Sequence, residues 1–273
     1  MAKKTRKKSQ KIIPVLVAVA LIIVIGAAGV GSIFLSKYSY SDEKMNLEEY
    51  YQITKDDQVA IVLENEHIET KAKLHQGIYY LDFDSVQKLL NARFYHDEAE
   101  ELLLYTTPTE IIRTSVGSEV YTVGEETVEA GYVTSFYEDE VLYVALDYVR
   151  NYTNFLYEAF TSPNRMQLTT KWPETTTAEV KKNTQIRYRG GVKSEILREV
   201  AKGETVTVLE KMDSWTKVKT SDAFIGYVPN KMLKNEETFV PGIEPNYVEP
   251  EYTSLTRDYK INLGWHQVMS EAA

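Results

Sequence analysis

The uncharged run Ile12–Leu35 constrains this chain more than any other feature. It follows a basic opening, MAKKTRKKSQK, with cations at Lys3, Lys4, Arg6, Lys7, Lys8 and Lys11. As a helix the run would rise roughly 36 Å, enough to cross a hydrocarbon core about 30 Å thick with some tilt. It has no polar face, which a buried core helix would show. A secretory signal has an apolar region of only about 7–15 residues, so despite the small residues Ala27-Ala28-Gly29 the length favours an uncleaved anchor. Basic flanks stay cytoplasmic. The expected arrangement is a single-pass protein of the cell membrane, with tail 1–11 cytoplasmic, residues 12–35 in the lipid bilayer and the bulk of the chain extracytoplasmic.

The formal net charge is −9. Setting aside the six cations of the tail leaves about −15 for the rest, a distinctly acidic surface. That excludes nucleic acid as a partner, because phosphate binding needs clustered Lys and Arg. The chain has no cysteine, so disulfides, thiol nucleophiles and thiolate metal sites are excluded. The four histidines, His67, His75, His96 and His266, lack metal-ligand spacing, and no metal or cofactor is expected. Acidic runs such as Glu138-Asp139-Glu140 lack the calcium-loop spacing. Gly190-Gly191 lacks the spacing and the Lys-Ser/Thr of a phosphate loop, and no GxSxG elbow occurs.

Residues 36–55 read as a polar, aromatic stalk with one short helix. From 56 to 172 short apolar runs alternate with turn signals, as strands and hairpins do. An internal repeat organises this region. At a constant shift of 63 residues Tyr80 meets Tyr143, Asp84 meets Asp147, Val86 meets Val149 and Asn91 meets Asn154. Each copy reads strand, short helix, hairpin. Asp84 and Asp147 are expected to cap the helix starts, and Asn91 and Asn154 to end the helices in a left-handed conformation.

Residues 178–234 carry period-two alternation in Thr205–Leu209 and Trp215–Val218, with tight turns at Lys202-Gly203-Glu204 and Met212-Asp213-Ser214. Several short strands in so few residues suggest a small barrel. Residues 235–257 hold Pro241, Pro245 and Pro250 among acidic residues and read as a semi-rigid linker. The segment Tyr259–Val268 reads as a strand entering a core. The expected fold class is α+β, mainly β outside the membrane: one transmembrane helix, a repeated β-α-β-β domain, then a small SH3-like β-barrel.

Three resemblances sharpen this outline. The units Tyr79–Leu90 and Leu142–Tyr152, with the Val116-Gly117-Ser118 turn before Val120–Val123, resemble the N-terminal domain of copper amine oxidases, over 56–172. Ile186-Arg187, Ile196-Leu197, Val200–Glu204, Trp215–Val218 and Gly226-Tyr227-Val228 closely resemble the bacterial SH3 (SH3b) family. Tyr188-Arg189-Gly190-Gly191 departs from it, standing where the family often has a longer polar loop. The module order, ending in Lys260-Ile261-Asn262-Leu263-Gly264-Trp265, resembles the front of membrane-anchored glycoside hydrolase family 18 proteins of Firmicutes, in which such a segment opens a (β/α)₈ barrel, here 258–273.

The family 18 motif Asp-x-x-Asp-x-Asp-x-Glu is absent. Its nearest text, Leu81-Asp82-Phe83-Asp84-Ser85-Val86, has Val86 in place of the acid. No catalytic residue is expected, and the chain reads as a non-catalytic segment that binds or spans the cell wall, the front of a glycan hydrolase. The alternatives are a complete surface binding or sensing protein and an adhesion or scaffold protein. The SH3b resemblance implies peptidoglycan or another wall glycan or peptide as partner. Trp215, Tyr188 and Tyr227 are the candidate contacts, because flat rings give stacking area at low entropic cost.

Overall fold

A computed structural model describes residues 17, 20–26, 29, 31–32, 37–242, 244–248 and 250. The chain is mostly β, 46% strand against 15% helix. This corrects the α+β class. No helix among the described residues is long and apolar enough to cross a membrane. The transmembrane helix expected at 12–35, and the cell-membrane location drawn from it, are corrected accordingly. The rest of that run, the tail 1–11 and the strand expected within 258–273 lie outside the described residues.

After helix α1 (Leu47–Tyr51), the first unit begins with β1 (Gln58–Leu63), β2 (Glu66–His75) and β3 (Ile78–Asp82). Helix α2 (Phe83–Ser85) runs into a π turn at Val86–Leu90. There follow β4 (Tyr95–Asp97), β5 (Leu102–Thr106), β6 (Ile111–Ser115), β7 (Val120–Val123), β8 (Glu126–Glu129), β9 (Ser135–Glu138) and β10 (Val141–Ala145). Helix α3 (Leu146–Arg150), β11 (Leu156–Phe160) and β12 (Arg165–Thr169) complete the unit. A seven-stranded sheet has the order β11-β12-β1-β2-β3-β10-β9, and a five-stranded meander runs β4 to β8. Both copies of the repeat follow strand, helix, hairpin. The first copy's hairpin enters the meander and the second's enters the large sheet.

The caps differ from expectation. Asp82, not Asp84, accepts from the Ser85 N–H at 2.9 Å, since only the residue before the first turn points its oxygen at free helix amides. Asp147 lies inside α3 and accepts from the Tyr157 hydroxyl at 2.8 Å. Asn91 is extended, with φ −154°, and its amide donates to the Thr153 hydroxyl at 2.9 Å. The two copies are thus stitched together by side chains.

The second unit comprises β13 (Thr175–Val180), β14 (Thr184–Arg187), β15 (Ile196–Val200), β16 (Thr205–Lys211), β17 (Trp215–Thr220), β18 (Ile225–Pro229) and β19 (Leu233–Phe239). They form one sheet in the order β15-β14-β18-β17-β16-β13-β19. No closed barrel forms, which corrects the expected barrel. β13 inserts between β16 and β19, so β19 and β15 remain separate ends instead of pairing.

The two units share a wall. In β1, Val59 and Ile61 enter the first core while Ala60 and Val62 enter the second. Alternate side chains of a strand point to opposite faces, so a strand buried on both faces reads as the continuous apolar run seen here. Residues 41–45 are not a free stalk. Ser41 N–H donates to Val192 O at 2.8 Å, Ile196 N–H to Glu43 O at 2.8 Å and Met45 N–H to Ile196 O at 2.9 Å. This segment lies parallel to β15 at Lys44 and Ile196, and α1 then wedges between the units. Asn46 caps α1 through Glu48 N–H at 3.1 Å.

The stretch 235–257 is likewise held where it is described. Residues 235–239 extend β19 against β13. Beyond it, Tyr247 N–H donates to Asn154 Oδ1 at 2.8 Å, and Asn154 Nδ2 donates to Tyr247 O at 2.6 Å.

Candidate functional site

Period two puts Trp215, Lys217 and Lys219 on one face of β17, while Thr216, Val218 and Thr220 are buried on the other. Tyr227 stands opposite Lys217 and Pro229 opposite Trp215. Trp215 and Tyr227 converge on the loop at Gly190. A Cβ added there would lie 3.3 Å from the Trp215 Cβ and 3.5 Å from a Tyr227 ring carbon. The departure Tyr188-Arg189-Gly190-Gly191 is therefore a close approach of backbone to rings, which glycine permits.

Tyr188 turns the other way. Its ring meets Tyr50 of α1 edge-on at 5.7 Å, with the Arg189 guanidinium over it at 5.2 Å. All three rings are half-buried. Tyr188 belongs to the junction of the units, while Trp215 and Tyr227 flank the loop.

Around Tyr50 the junction is polar. The Tyr50 hydroxyl donates to Ile225 O at 2.7 Å and lies 2.9 Å from His67 Nε2. Because that hydroxyl proton is already used, the Tyr50 oxygen accepts and His67 donates through Nε2–H. Burial raises the Tyr50 phenol, with the nearby Tyr188 adding to it, so it remains a neutral donor.

Burial lowers the His67 imidazole to about 4, and the cations Lys71 and Lys217 add to the shift. A folded-state value below the unfolded value means that acid protonates the unfolded chain first. The contribution from His67 is fully present above about pH 6.5 and is lost as pH falls toward about 4. His67 is exposed at the surface of β2, so solvent screens the shift and the effect is small. Thermal unfolding of wild type and His67→Gln at pH 7.5 and 4.5 checks it: wild type should lose more stability on acidification than the variant.

A groove of about 570 Å³ lies on the second unit. Its lining includes Tyr40, Gln185, Arg187, Glu199, Pro229 and Met232. Such a volume falls within the ordinary range of ligand sites, about 300–1,000 Å³. Pro229 both lines the groove and stands across from Trp215, so the aromatic patch adjoins the groove.

Arg187, 1% exposed, forms its floor. Its guanidinium donates to Ser194 O at 2.5 Å, Ser41 O at 2.9 Å and Gln185 Oε1 at 2.5 Å. It also lies 5.0 Å from the centre of the Tyr40 ring. Burial lowers the Arg187 pKa, while Tyr40 and Asp42 oppose the shift. Its donors are committed to the protein, so it braces the wall of the groove instead of offering charge to a ligand.

Tyr40 gave no signal as a site residue, because it reaches the groove from outside the module's own sequence. Among the described residues no group of three or more His, Asp or Glu is placed to hold a metal ion. His266 lies outside the described residues.

No curated protein and no solved structure matches the chain. The family comparison likewise carries no support for a copper amine oxidase-like domain or a family 18 barrel. It does match one region, covering β14 to the start of β19. Residues 182–234 match the bacterial SH3 domain family, whose modules are commonly cell-wall-binding.

Proposed function

We propose that this chain binds cell-wall material through its SH3 unit, using the groove floored by Arg187 and the adjoining rings of Trp215 and Tyr227. The observation that carries the reading is that the family match and the open groove fall on the same unit. On this reading the first unit is a brace. It shares β1 with the second core and holds the SH3 unit in one orientation, so the pair acts as a rigid wall-facing arm. The chain works by binding and carries out no chemistry of its own, as the missing Asp-x-x-Asp-x-Asp-x-Glu motif suggests. Tyr188 supports the junction and is the least direct contact of the three rings.

Sedimentation of the full chain with purified peptidoglycan tests this directly. Wild type should be retained, and Trp215→Ala should weaken retention about tenfold, the equivalent of ~1.4 kcal/mol. Failure of the wild type to sediment would remove the wall-binding reading. Equal retention of the variant would remove Trp215 from the contact. Release of reducing sugar or free peptide from the wall by the purified chain would overturn the non-enzymatic reading.

A further inference from the structure

We infer that the corner 150–154 of the first unit is a docking site for an Asn-Tyr pair, and that Asn246-Tyr247 fills it as a releasable latch. The site is separate from the groove and does not depend on wall binding. It begins at the end of α3. A helix end leaves carbonyls that no helical amide can reach, and Asn246 brings donors to this one. Its Nδ2 donates to Arg150 O at 2.6 Å and to Thr153 O at 2.9 Å. One residue on, Tyr247 N–H donates to Asn154 Oδ1 at 2.8 Å, and Asn154 Nδ2 donates to Tyr247 O at 2.6 Å. The Asn154 amide thus reads both backbone groups of a single residue, as a hydrogen-bonded pair in an antiparallel ladder does.

The Tyr247 ring completes the contact. It packs against the first core and meets Tyr152 edge-on at 6.3 Å, an arrangement that aromatic pairs favour. On either side of the seated pair the chain stands in water: Val240 is 67% exposed and Val248 74%. Attachment is therefore confined to two residues. Pro241 and Pro245 lie between β19 and the corner. A short, semi-rigid connection keeps the local concentration of the pair high at its site.

The latch decides where the chain is tethered. β19 ends at Phe239 in the second unit, whereas the corner joins α3 to β11 in the first. Closed, the latch hands the chain back across the junction and fixes it to the first unit. Open, everything beyond Phe239 hangs from the SH3 unit alone. The eight residues 240–247 then add up to about 28 Å of reach. The device gives the chain that follows two tether lengths, one short and one long.

Amide hydrogen exchange on the full chain, read at the Tyr247 N–H, is the test. That amide should exchange at least tenfold more slowly in the wild type than in Asn154→Ala. Asn246→Ala, which weakens the contact from the strap side, should speed the same amide, and cleavage by chymotrypsin after Tyr247 should follow the same order. Both variants should keep the wild-type unfolding temperature, because Asn154 and Asn246 are exposed and the latch opens without disturbing either core. A wild-type Tyr247 amide that exchanges as fast as in an unstructured peptide would overturn the docking. Protection unchanged in both variants would overturn the corner as the site. Protection of Tyr247 equal to that of the β1 amides would overturn release, since the pair would then open only when the whole chain unfolds.

Discussion

Arg165→Ala is expected to destabilise the folded chain by about 3–5 kcal/mol, the cost of stripping one partner from a buried ionic network. Arg165 lies on β12 in the first unit and is 3% exposed. Its Nε donates to Asp222 O at 2.8 Å and its Nη2 reaches Asp222 Oδ2 at 3.3 Å, both in the second unit. Nη1 serves Thr161 O at 2.9 Å and Pro163 O at 3.1 Å. The guanidinium plane also covers Phe224 at 4.3 Å and Phe160 at 5.2 Å.

Truncation removes all of this at once and leaves part-buried carbonyls without their donor, which costs more than the bonds themselves contribute. Asp222 keeps Arg198 Nε at 2.9 Å, so its charge is not abandoned and the lower end of the range is expected. Arg165→Lys should recover little, because one ammonium cannot replace a planar fork that serves several acceptors. Urea unfolding followed by two probes measures the effect. A loss under 1 kcal/mol would mean that apolar contacts alone hold the units together.

Tyr51→Ala should cost a comparable amount, about 3–5 kcal/mol, as large aromatic truncations in cores do. Tyr51 is 2% exposed and lies in the second core with Ala60 and Val62 from β1 and Phe224 from the SH3 unit. Its hydroxyl donates to Ala223 O at 3.1 Å, and burial raises the phenol, so it stays protonated. Tyr51→Phe removes only that bond and should cost about 1 kcal/mol. The gap between the two variants isolates packing. If Tyr51→Ala unfolds at the wild-type denaturant midpoint, α1 is an ornament on the SH3 unit and not part of its core.

How much was legible beforehand differs from element to element. The run Val59–Leu63 announces a strand, while its burial on both faces is seen only in the fold. Nothing in it says that the two faces serve different cores. The repeat is plain in the paired Tyr80/Tyr143 and Asn91/Asn154, yet the copies send their hairpins to different sheets. Side-chain pattern dictates which face of a strand is buried, whereas strand pairing depends on partners distant in sequence.

The short alternating strands of 178–234 point to a small β module. The barrel expected from them stays open because β13 and β19 lengthen the sheet on one side. At the site, Trp215 and Tyr227 are recognisable as residue types suited to binding, and Gly190 explains how a loop reaches them. Tyr40 lies in a polar segment with no periodicity, and only the folded arrangement of residues 39–45 brings it to the groove. The apolar run 12–35 has the length and basic flank of a span, yet no helix among the described residues is long and apolar enough to cross a membrane.

The shared strand also governs the order in which the molecule can assemble. β1 pairs in parallel with β12, joining Ala60 to Arg165 and Leu63 to Leu168, and Tyr51 waits for Ala223, 172 positions away. Contacts so distant require loop closure before they return any stability, which slows folding. A chain emerging from the ribosome usually completes its N-terminal part first. Here the face of the first strand that carries Ala60 and Val62 cannot be covered by the second core until most of the chain has been made. Ala60 and Val62 therefore stay uncovered while the first unit is already complete, leaving an apolar strip on the newborn protein.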